Sequence, residues 1–287
     1  MPRVSVIIPV YNGENFISET INSVLKQSFK DFEIILVDDG SKDNTKKILE
    51  SFSDQRLKVL HIENRGVSNA RNVGYKESKA DFLAFLDADD LWLPERLYET
   101  VAYLDAHIEV GLVHTHMAVI DENSKENGDV YAGKEGDILE DLLLWNGCCI
   151  PAPSSILMRR EVLENIGLFD TNLSTAADQE IFFRIANQYK IGMVSKVLGL
   201  YRIHGENMHL NIVRMEKEHI YAYNKAFKLD LYKNRSFKRK CYSNMYMILA
   251  GSYWVQGANK KRAIIMIMKS LQSDFSNVMR KLLKKIL

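Results

Sequence analysis

Four short apolar segments near the start of the chain constrain its fold more than any other feature. β-branched or other apolar residues fill each of them almost continuously, at positions 4–10, 32–39, 57–62 and 81–87. Such runs are typical of strands covered on both faces of a parallel sheet. Helical periods occupy the intervening stretches, near 14–28, 43–52, 67–79 and 95–107. The alternation predicts an α/β, doubly wound core with a mostly parallel central sheet. Asp43 is placed to cap the second helix.

The regular alternation ends after about residue 110. Further strands are indicated near 110–120 and 197–204, and an amphipathic helix opens at Asp178. From Glu206 onward only helical periods rich in Met, Tyr and Lys remain. We therefore predict one α/β domain over residues 1–205 and a helical C-terminal extension over 206–287.

Charge is unevenly distributed along the 287 residues, whose net charge is +1. Residues 260–287 contain eight Lys or Arg and the single acid Asp274, so this tail carries +7 and the rest of the chain −6. Apolar residues recur in the tail at near-helical spacing. A basic amphipathic helix of this kind can lie on an anionic membrane surface. Alternatively, its apolar face packs on the protein and its lysines are solvated.

The cysteines and the N-terminal segment bear on the cellular setting. Cys148, Cys149 and Cys241 have neither zinc-site spacing nor an even number for disulfide pairing. The first apolar run is followed by no signal-peptide cleavage pattern, and no run of about 18 or more apolar residues predicts a membrane span. We expect a cytoplasmic location, with peripheral contact at the membrane if the tail binds lipid.

Polar residues follow three of the predicted strands. They are Pro9, Tyr11 and Asn12 after the first, Asp38 and Asp39 after the second, and Asp87, Asp89 and Asp90 after the fourth. In an open parallel sheet, ligands bind outside these carboxyl ends. The first turn, PVYNGEN, has neither the G-x-G-x-x-G of a dinucleotide site nor a Walker A loop.

The aspartate cluster suggests a cation site. Aspartate oxygens suit Mg²⁺ or Mn²⁺, which one or two carboxylates typically hold together with substrate phosphates. We expect one of Asp87 and Asp89 to point toward a ribose and the other to bind the metal. Alternatively, these aspartates cap the helix that starts near Pro94.

The first two strand ends suggest a nucleoside site. Asp39 can accept a hydrogen bond from the imino N–H of a base, while Tyr11 offers a face for stacking. Uracil and guanine both have a suitable N–H, so the residues alone leave the base open. The alternative for Asp38 and Asp39 is an ordinary tight turn.

Six motifs resemble the family 2 glycosyltransferases, inverting enzymes of the GT-A fold that use nucleotide-diphosphate sugars. In order they are VSVIIPVYN, ILVDDGSKDNT, ENRGVSNARNVGY, FLAFLDADDLW, ADQEIFFRI and YRIHGEN. The resemblance covers about the first 205 residues, with a nucleotide-binding half (1–110) and an acceptor half (111–205). It implies nucleotide contacts from Pro9, Tyr11, Asp39, Arg71 and Asp87, with Asp87 and Asp89 as the DxD pair and Asp89 on the metal.

The resemblance also implies a catalytic base. The family usually has a Glu-Asp pair at the start of a helix, and Asp178 matches the base while Ala177 replaces the glutamate. From the residues alone, Asp178 would be an N-cap. His204 matches a histidine near the diphosphate or metal, although a lone histidine usually has only a hydrogen-bonding role. Trp145 and Glu180 are expected near the sugar and acceptor pocket, with a buried anchor as the alternative for Trp145.

The expected activity is metal-dependent transfer of a hexosyl or N-acetylhexosaminyl group, with inversion. We expect Mn²⁺ or Mg²⁺ as cofactor, a UDP-sugar donor, and a glycan or lipid-linked acceptor hydroxyl in surface polysaccharide or glycoconjugate synthesis. No nucleic-acid partner is expected. The alternatives are a sugar nucleotidyltransferase, which would favour a Gly- and Lys/Arg-rich phosphate loop, and a non-catalytic nucleotide-sugar-binding protein.

Overall fold

The computed structural model describes residues 1–205, 207, 210–229, 234–257 and 259–286, without the side chains of 281–286. Its strands are β1 (Val4–Val10), β2 (Phe32–Asp38), β3 (Leu57–His61), β4 (Phe82–Phe85), β5 (Leu91–Trp92), β6 (Val110–Ile120), β7 (Glu126–Tyr131), β8 (Ile156–Arg159) and β9 (Lys190–Arg202). Its helices are α1 (Ile17–Leu25), α2 (Thr45–Ser51), α3 (Val67–Glu77), α4 (Arg96–Ala106), α5 (Leu139–Leu144), α6 (Arg160–Ile166), α7 (Ala177–Ala186), α8 (Ile212–Lys228), α9 (Arg235–Val255), α10 (Lys260–Ser273) and α11 (Phe275–Ile286).

All the strands join one sheet in the order β3-β2-β1-β4-β8-β6-β9-β5, with β7 paired to β6. The first four in this order are parallel, as are β6 and β9. Strand β8 runs antiparallel to β4 and β6, and thereby joins the two parallel parts of the sheet. The predicted α/β core is confirmed, and four antiparallel pairings make the complete sheet mixed.

Close packing of α3 on the central strand β1 positions one site residue. Every residue of β1 is buried. A Cβ at Gly74 of α3 would collide with the side chain of Ile7, so the glycine permits the close approach of helix and sheet. Arg71 lies one turn earlier on this helix, and the same packing brings its side chain to the carboxyl end of the sheet.

Three predicted helix caps can be compared with the structure. The residues at the N-caps of α4 and α7 are Glu95 and Ala176, so neither Asp90 nor Asp178 caps its nearby helix. Asp43 lies one residue before the N-cap Asn44 of α2, and its carboxylate accepts hydrogen bonds from the backbone N–H groups of Thr45 and Glu14. Asp43 therefore serves the helix start, but not as the N-cap itself.

The helical extension packs on the second half of the α/β core. Tyr223 of α8 is buried and donates to the carbonyl of Leu143, and Asn244 of α9 donates to the carbonyl of Leu144. Side chains of α8, α9 and α10 share one hydrophobic cluster with those of α5 and α7. The domain boundary at 205 stays a prediction. Within the ranges described, no helix is long and apolar enough to cross a membrane.

Candidate active site

A cavity of about 940 Å³ lies at the carboxyl ends of the parallel strands. Eight of the predicted site residues line it: Pro9, Tyr11, Asp39, Asp87, Asp89, Trp145, Asp178 and His204. Two others, Arg71 and Glu180, are buried beside it. The fold thus gathers residues separated by almost two hundred positions in the chain.

At the β1 and β2 end of the cavity, the two adjacent aspartates have different roles. Asp38 accepts a hydrogen bond from the backbone N–H of Ser41, and its other oxygen lies 2.8 Å from Nδ1 of His61, so it supports the turn. Asp39 lines the cavity, and its two oxygens accept from the backbone N–H groups of Arg65 and Gly66. A carboxylate has about four acceptor sites, so Asp39 retains capacity for a ligand donor.

On another side of the cavity, Asp89 lies beside His204 and Asn207. Oδ2 of Asp89 is 2.9 Å from Nε2 of His204 and accepts a hydrogen bond of 3.3 Å from the side-chain amide of Asn207. The amide oxygen of Asn207 accepts from the backbone N–H of His204, which fixes the segment after β9. This arrangement places one hard oxygen donor and one imidazole side by side.

Asp90, the third aspartate of the cluster, has a structural role. It is buried, and its Oδ1 accepts from the backbone N–H of Arg202 at the end of β9. Burial raises its pKa well above the usual value, and the charges of Asp89 and Asp87 add to this effect. Oδ2 has no hydrogen-bond partner among the residues described. Asp90 therefore holds the strand that delivers His204 and is not part of the cavity wall.

Arg71 connects Asp87 to Asp178. Its side chain is 1% exposed; Nη2 donates to Asp87 at 2.7 Å and Nη1 to Asp178 at 2.6 Å. Burial raises the pKa of the Asp178 carboxyl to about 6, against the lowering effect of Arg71 and with a further raising effect from Asp87. Burial also raises the pKa of Asp87, again opposed by Arg71. One guanidinium therefore fixes both carboxylates. The nucleoside contact expected of Arg71 stays a prediction.

Trp145 and Glu180, both expected near the acceptor pocket, have different surroundings. Trp145 lines the cavity and stacks on His219 of α8, with ring centroids 4.8 Å apart, so it is both a wall and an anchored side chain. Burial lowers the pKa of His219 to about 4, which keeps the ring neutral. Glu180 is buried and forms ion pairs with Arg184 and Lys225. Its expected place near the acceptor pocket stays a prediction.

Glu218 of α8 is a site residue that the sequence did not indicate. Its carboxylate accepts hydrogen bonds from the backbone N–H groups of Ser174 and Ala176 and from the hydroxyl of Thr175. These residues immediately precede α7, whose first turn carries Asp178. The extension therefore anchors the segment that positions Asp178. Little in the sequence indicates this role, because Glu218 belongs to the amphipathic pattern of a helix and lies forty residues after Asp178.

Comparison with known proteins identifies the family of this chain. The model of the Glycosyl transferase family 2 matches residues 5–167. An uncharacterized glycosyltransferase of Nostoc sp. is 35% identical over 224 residues, which cover 75% of this chain and 69% of the relative. The matches to five Rickettsia relatives cover between 29% and 64% of those proteins.

Two solved structures share the fold. Staphylococcus aureus TarS (residues 1–349) in complex with UDP-GlcNAc has a TM-score of 0.61 and 22% identity, over 96% of this chain and 73% of the other. The mannosyltransferase PcManGT of Pyrobaculum calidifontis, in complex with GDP-Man and Mn²⁺, has a TM-score of 0.63 and 21% identity, over 99% and 79%. Fold and site thus define a glycosyltransferase of the GT-A type. The chain belongs to glycosyltransferase family 2.

Proposed function

We propose that this protein is a metal-dependent, inverting glycosyltransferase that moves a hexosyl or N-acetylhexosaminyl group from a UDP-sugar to an acceptor hydroxyl. The acceptor would be a glycan or a lipid-linked glycan precursor in surface polysaccharide or glycoconjugate synthesis. One observation carries the proposal: Asp178, with its raised pKa, shares a cavity with the Asp89–His204 pair, and Arg71 ties it to Asp87. A proton acceptor and a candidate diphosphate site therefore lie within reach of one bound donor.

The donor end of the cavity can bind a uridine. Tyr11 is exposed there and offers a stacking face, while Asp39 can accept from the imino N–H of the base. Asp87 has one oxygen on Arg71, which orients the carboxylate for a ribose hydroxyl. The complexes of TarS with UDP-GlcNAc and of PcManGT with GDP-Man support a nucleotide-sugar donor in this fold.

Asp89 and His204 also fit a divalent ion whose other ligands come from the substrate. The described residues include no group of three or more His, Cys, Asp or Glu side chains arranged for a metal. Asp89 and His204 would supply two ligands, and the diphosphate oxygens would supply others, as is usual for Mg²⁺ and similar ions. When bound, the ion neutralises the leaving diphosphate as a Lewis acid.

Asp178 accounts for the acceptor half of the reaction. Its carboxylate takes the proton of the acceptor hydroxyl as the oxygen attacks the anomeric carbon. The bond from that carbon to the diphosphate breaks, and its electron pair leaves with the diphosphate. Attack from the opposite face inverts the anomeric centre. Arg71 holds the Asp178 carboxylate through Oδ1, which leaves Oδ2 for the proton.

Donor binding should require both a divalent ion and Asp89. Calorimetry with UDP should show binding in Mn²⁺ or Mg²⁺ that EDTA abolishes. Asp89→Ala should weaken this binding about a hundredfold or more, because it removes the hard oxygen ligand. Asp105→Ala, which removes an exposed carboxylate paired with Arg3, is the matched control and should bind like wild type. Full-strength UDP binding in EDTA would contradict the metal assignment.

Glu218→Ala should slow transfer while leaving UDP binding within about twofold of wild type. Without the carboxylate, two buried N–H groups before α7 lose their acceptor, and Asp178 is held less precisely. Misplacement by about 1 Å can cost about a hundredfold in rate, so we expect kcat to fall by about 10–100-fold.

The matched control for Glu218 is Glu216→Gln on the same helix. Glu216 is also buried, but it binds Tyr253 and Arg262 within the extension. Its replacement should lower the melting temperature at least as much as Glu218→Ala and leave kcat unchanged. Equal losses of kcat in the two variants would indicate a general packing effect and would remove Glu218 from the site.

A further inference from the structure

The outer face of α10 combines exposed apolar side chains with two lysines. Helical spacing places residues 260, 261, 264, 268 and 272 on one face, opposite the buried Ala263, Met266 and Ser270 that pack on α9. Ile264 is 51% and Met268 54% exposed in the middle of this face. Phe275, at the start of α11, is 61% exposed. Large apolar side chains grouped in this way indicate a contact surface.

This face continues onto the end of α9. Nζ of Lys260 lies 5.5 Å from the ring centroid of Trp254, which is half exposed, and the neighbouring Val255 is 77% exposed. Lys260 is one helical turn before Ile264. We define the α10 face as Trp254, Lys260, Lys261, Ile264 and Met268.

The segment of the extension that carries the α10 face is strongly basic. Residues 234–287 contain twelve Lys or Arg and the single acid Asp274. Some of these cations have other partners, such as Arg262 on Glu216, whereas Lys260, Lys261 and Arg280 are exposed. A second copy of this chain would bring two surfaces of the same charge together. An indole beside lysines and aliphatic side chains is the combination that binds at a lipid headgroup boundary.

We propose that the α10 face docks this protein on an anionic lipid bilayer. Its lysines contact the headgroups while Trp254, Ile264 and Met268 enter the boundary with the acyl chains. The extension that carries this face also packs on α5 and anchors the segment before α7. Docking of the extension would therefore hold the acceptor side of the cavity close to the membrane. The proposal concerns a surface outside the cavity and stands whether or not Asp178 is the base.

Vesicle sedimentation with the full chain tests the proposal. The protein should bind vesicles of phosphatidylcholine with phosphatidylglycerol, bind weakly to phosphatidylcholine alone, and dissociate as salt is raised. Lys260→Gln with Lys261→Gln should weaken binding at low salt about 25-fold, from about fivefold per basic residue. Ile264→Ser with Met268→Ser should weaken binding about tenfold or more. It should also reduce the fraction of protein that stays bound to the vesicles at high salt.

Two matched variants separate this face from general effects of charge or apolarity. Lys76→Gln with Lys79→Gln removes two exposed lysines on another surface, and Ile108→Ser removes a more exposed isoleucine. Both should bind vesicles like wild type, and all variants should keep the wild-type melting temperature. Equal binding to neutral and anionic vesicles, equal losses in the control variants, or binding to a single-stranded oligonucleotide without vesicle binding would overturn the proposal. So would a dimer, by light scattering, that only Ile264→Ser with Met268→Ser disrupts.

Discussion

Asp178→Asn should lower the rate of transfer by about 10²–10⁴-fold and change the dissociation constant for UDP by less than about twofold. Asparagine keeps the size of the side chain and its hydrogen bond from Arg71, but it cannot take the proton of the acceptor hydroxyl. The N-cap of α7 is Ala176, and Asp89 contacts His204 and Asn207, so helix and metal site should both survive. Single-turnover transfer and calorimetry with UDP measure the two quantities separately.

The pH dependence of kcat gives a second readout of the same group. Burial raises the pKa of Asp178 to about 6, so the carboxyl is protonated below that pH and charged above it. A base must be charged to act, and kcat of the wild type should therefore fall as pH drops through about 6. Asp178→Asn should lack this limb in its residual rate.

Gln179→Ala is the matched control for Asp178→Asn. Gln179 follows in the same helical turn and also lines the cavity, but its side chain has no proton-accepting carboxylate. Its replacement should cost far less in rate than Asp178→Asn. If Asp178→Asn keeps most of the wild-type rate with a competent donor and acceptor, the base assignment is wrong.

The α/β core could be predicted because its strands have a simple chemical cause. The residues of β1 are buried on both faces of the sheet. A continuous apolar run bounded by polar turns predicts such a strand directly. The antiparallel strands were harder. Strand β8 has four residues and β5 only two, and their pairing depends on partners far away in the chain. Local sequence contains little information on such pairing.

The candidate site shows the same division. Asp39, Asp89 and Asp178 follow or begin predicted elements, so their gathering at one edge of the sheet follows from topology. The contacts that these residues make with their partners do not follow from topology. The ion pair of Arg71 with Asp178 and the hydrogen bond of Glu218 with Ser174 each join positions more than forty residues apart, and depend on how α3 and α8 pack. Glu180 likewise pairs with Arg184 of its own helix and with Lys225 of α8, and the second of these partners is not indicated by the local sequence.

The role of Arg71 leads to the second large prediction. Replacing Arg71 by methionine keeps the length of the side chain but removes the cation between Asp87 and Asp178. These carboxylates are 27% and 33% exposed, so water can compensate only in part. Removing one partner of a buried ion pair costs about 3–5 kcal/mol, and we expect about 3 kcal/mol here because of that partial exposure. Chemical denaturation at pH 7.5 measures the loss in the free energy of unfolding.

The loss should shrink as pH is lowered. Asp178 already has a folded-state pKa above its unfolded value, so its contribution to stability is fully present below the unfolded pKa and is lost as pH rises through about 6. Without Arg71 both carboxyls lose a charge that lowers their pKa values. Protonation then relieves their repulsion at a higher pH than in the wild type. Arg71→Met should therefore regain part of its stability near pH 5.5, and Arg71→Lys, which keeps one charge without the fork, should be intermediate.

Arg96 provides the matched control for Arg71. It is also fully buried, but its guanidinium donates to the carbonyl of Ile156 and lies over the ring of Trp92, 3.7 Å from the centroid, with no ion pair to a carboxylate among the described residues. Burial lowers its pKa to about 9, which shows that the cation is poorly compensated. Arg96→Met should change the free energy of unfolding by less than about 1 kcal/mol, with no added pH dependence between 5.5 and 7.5. If the two variants lose the same stability at both pH values, the effect is loss of packing, and Arg71 does not act through its two carboxylates.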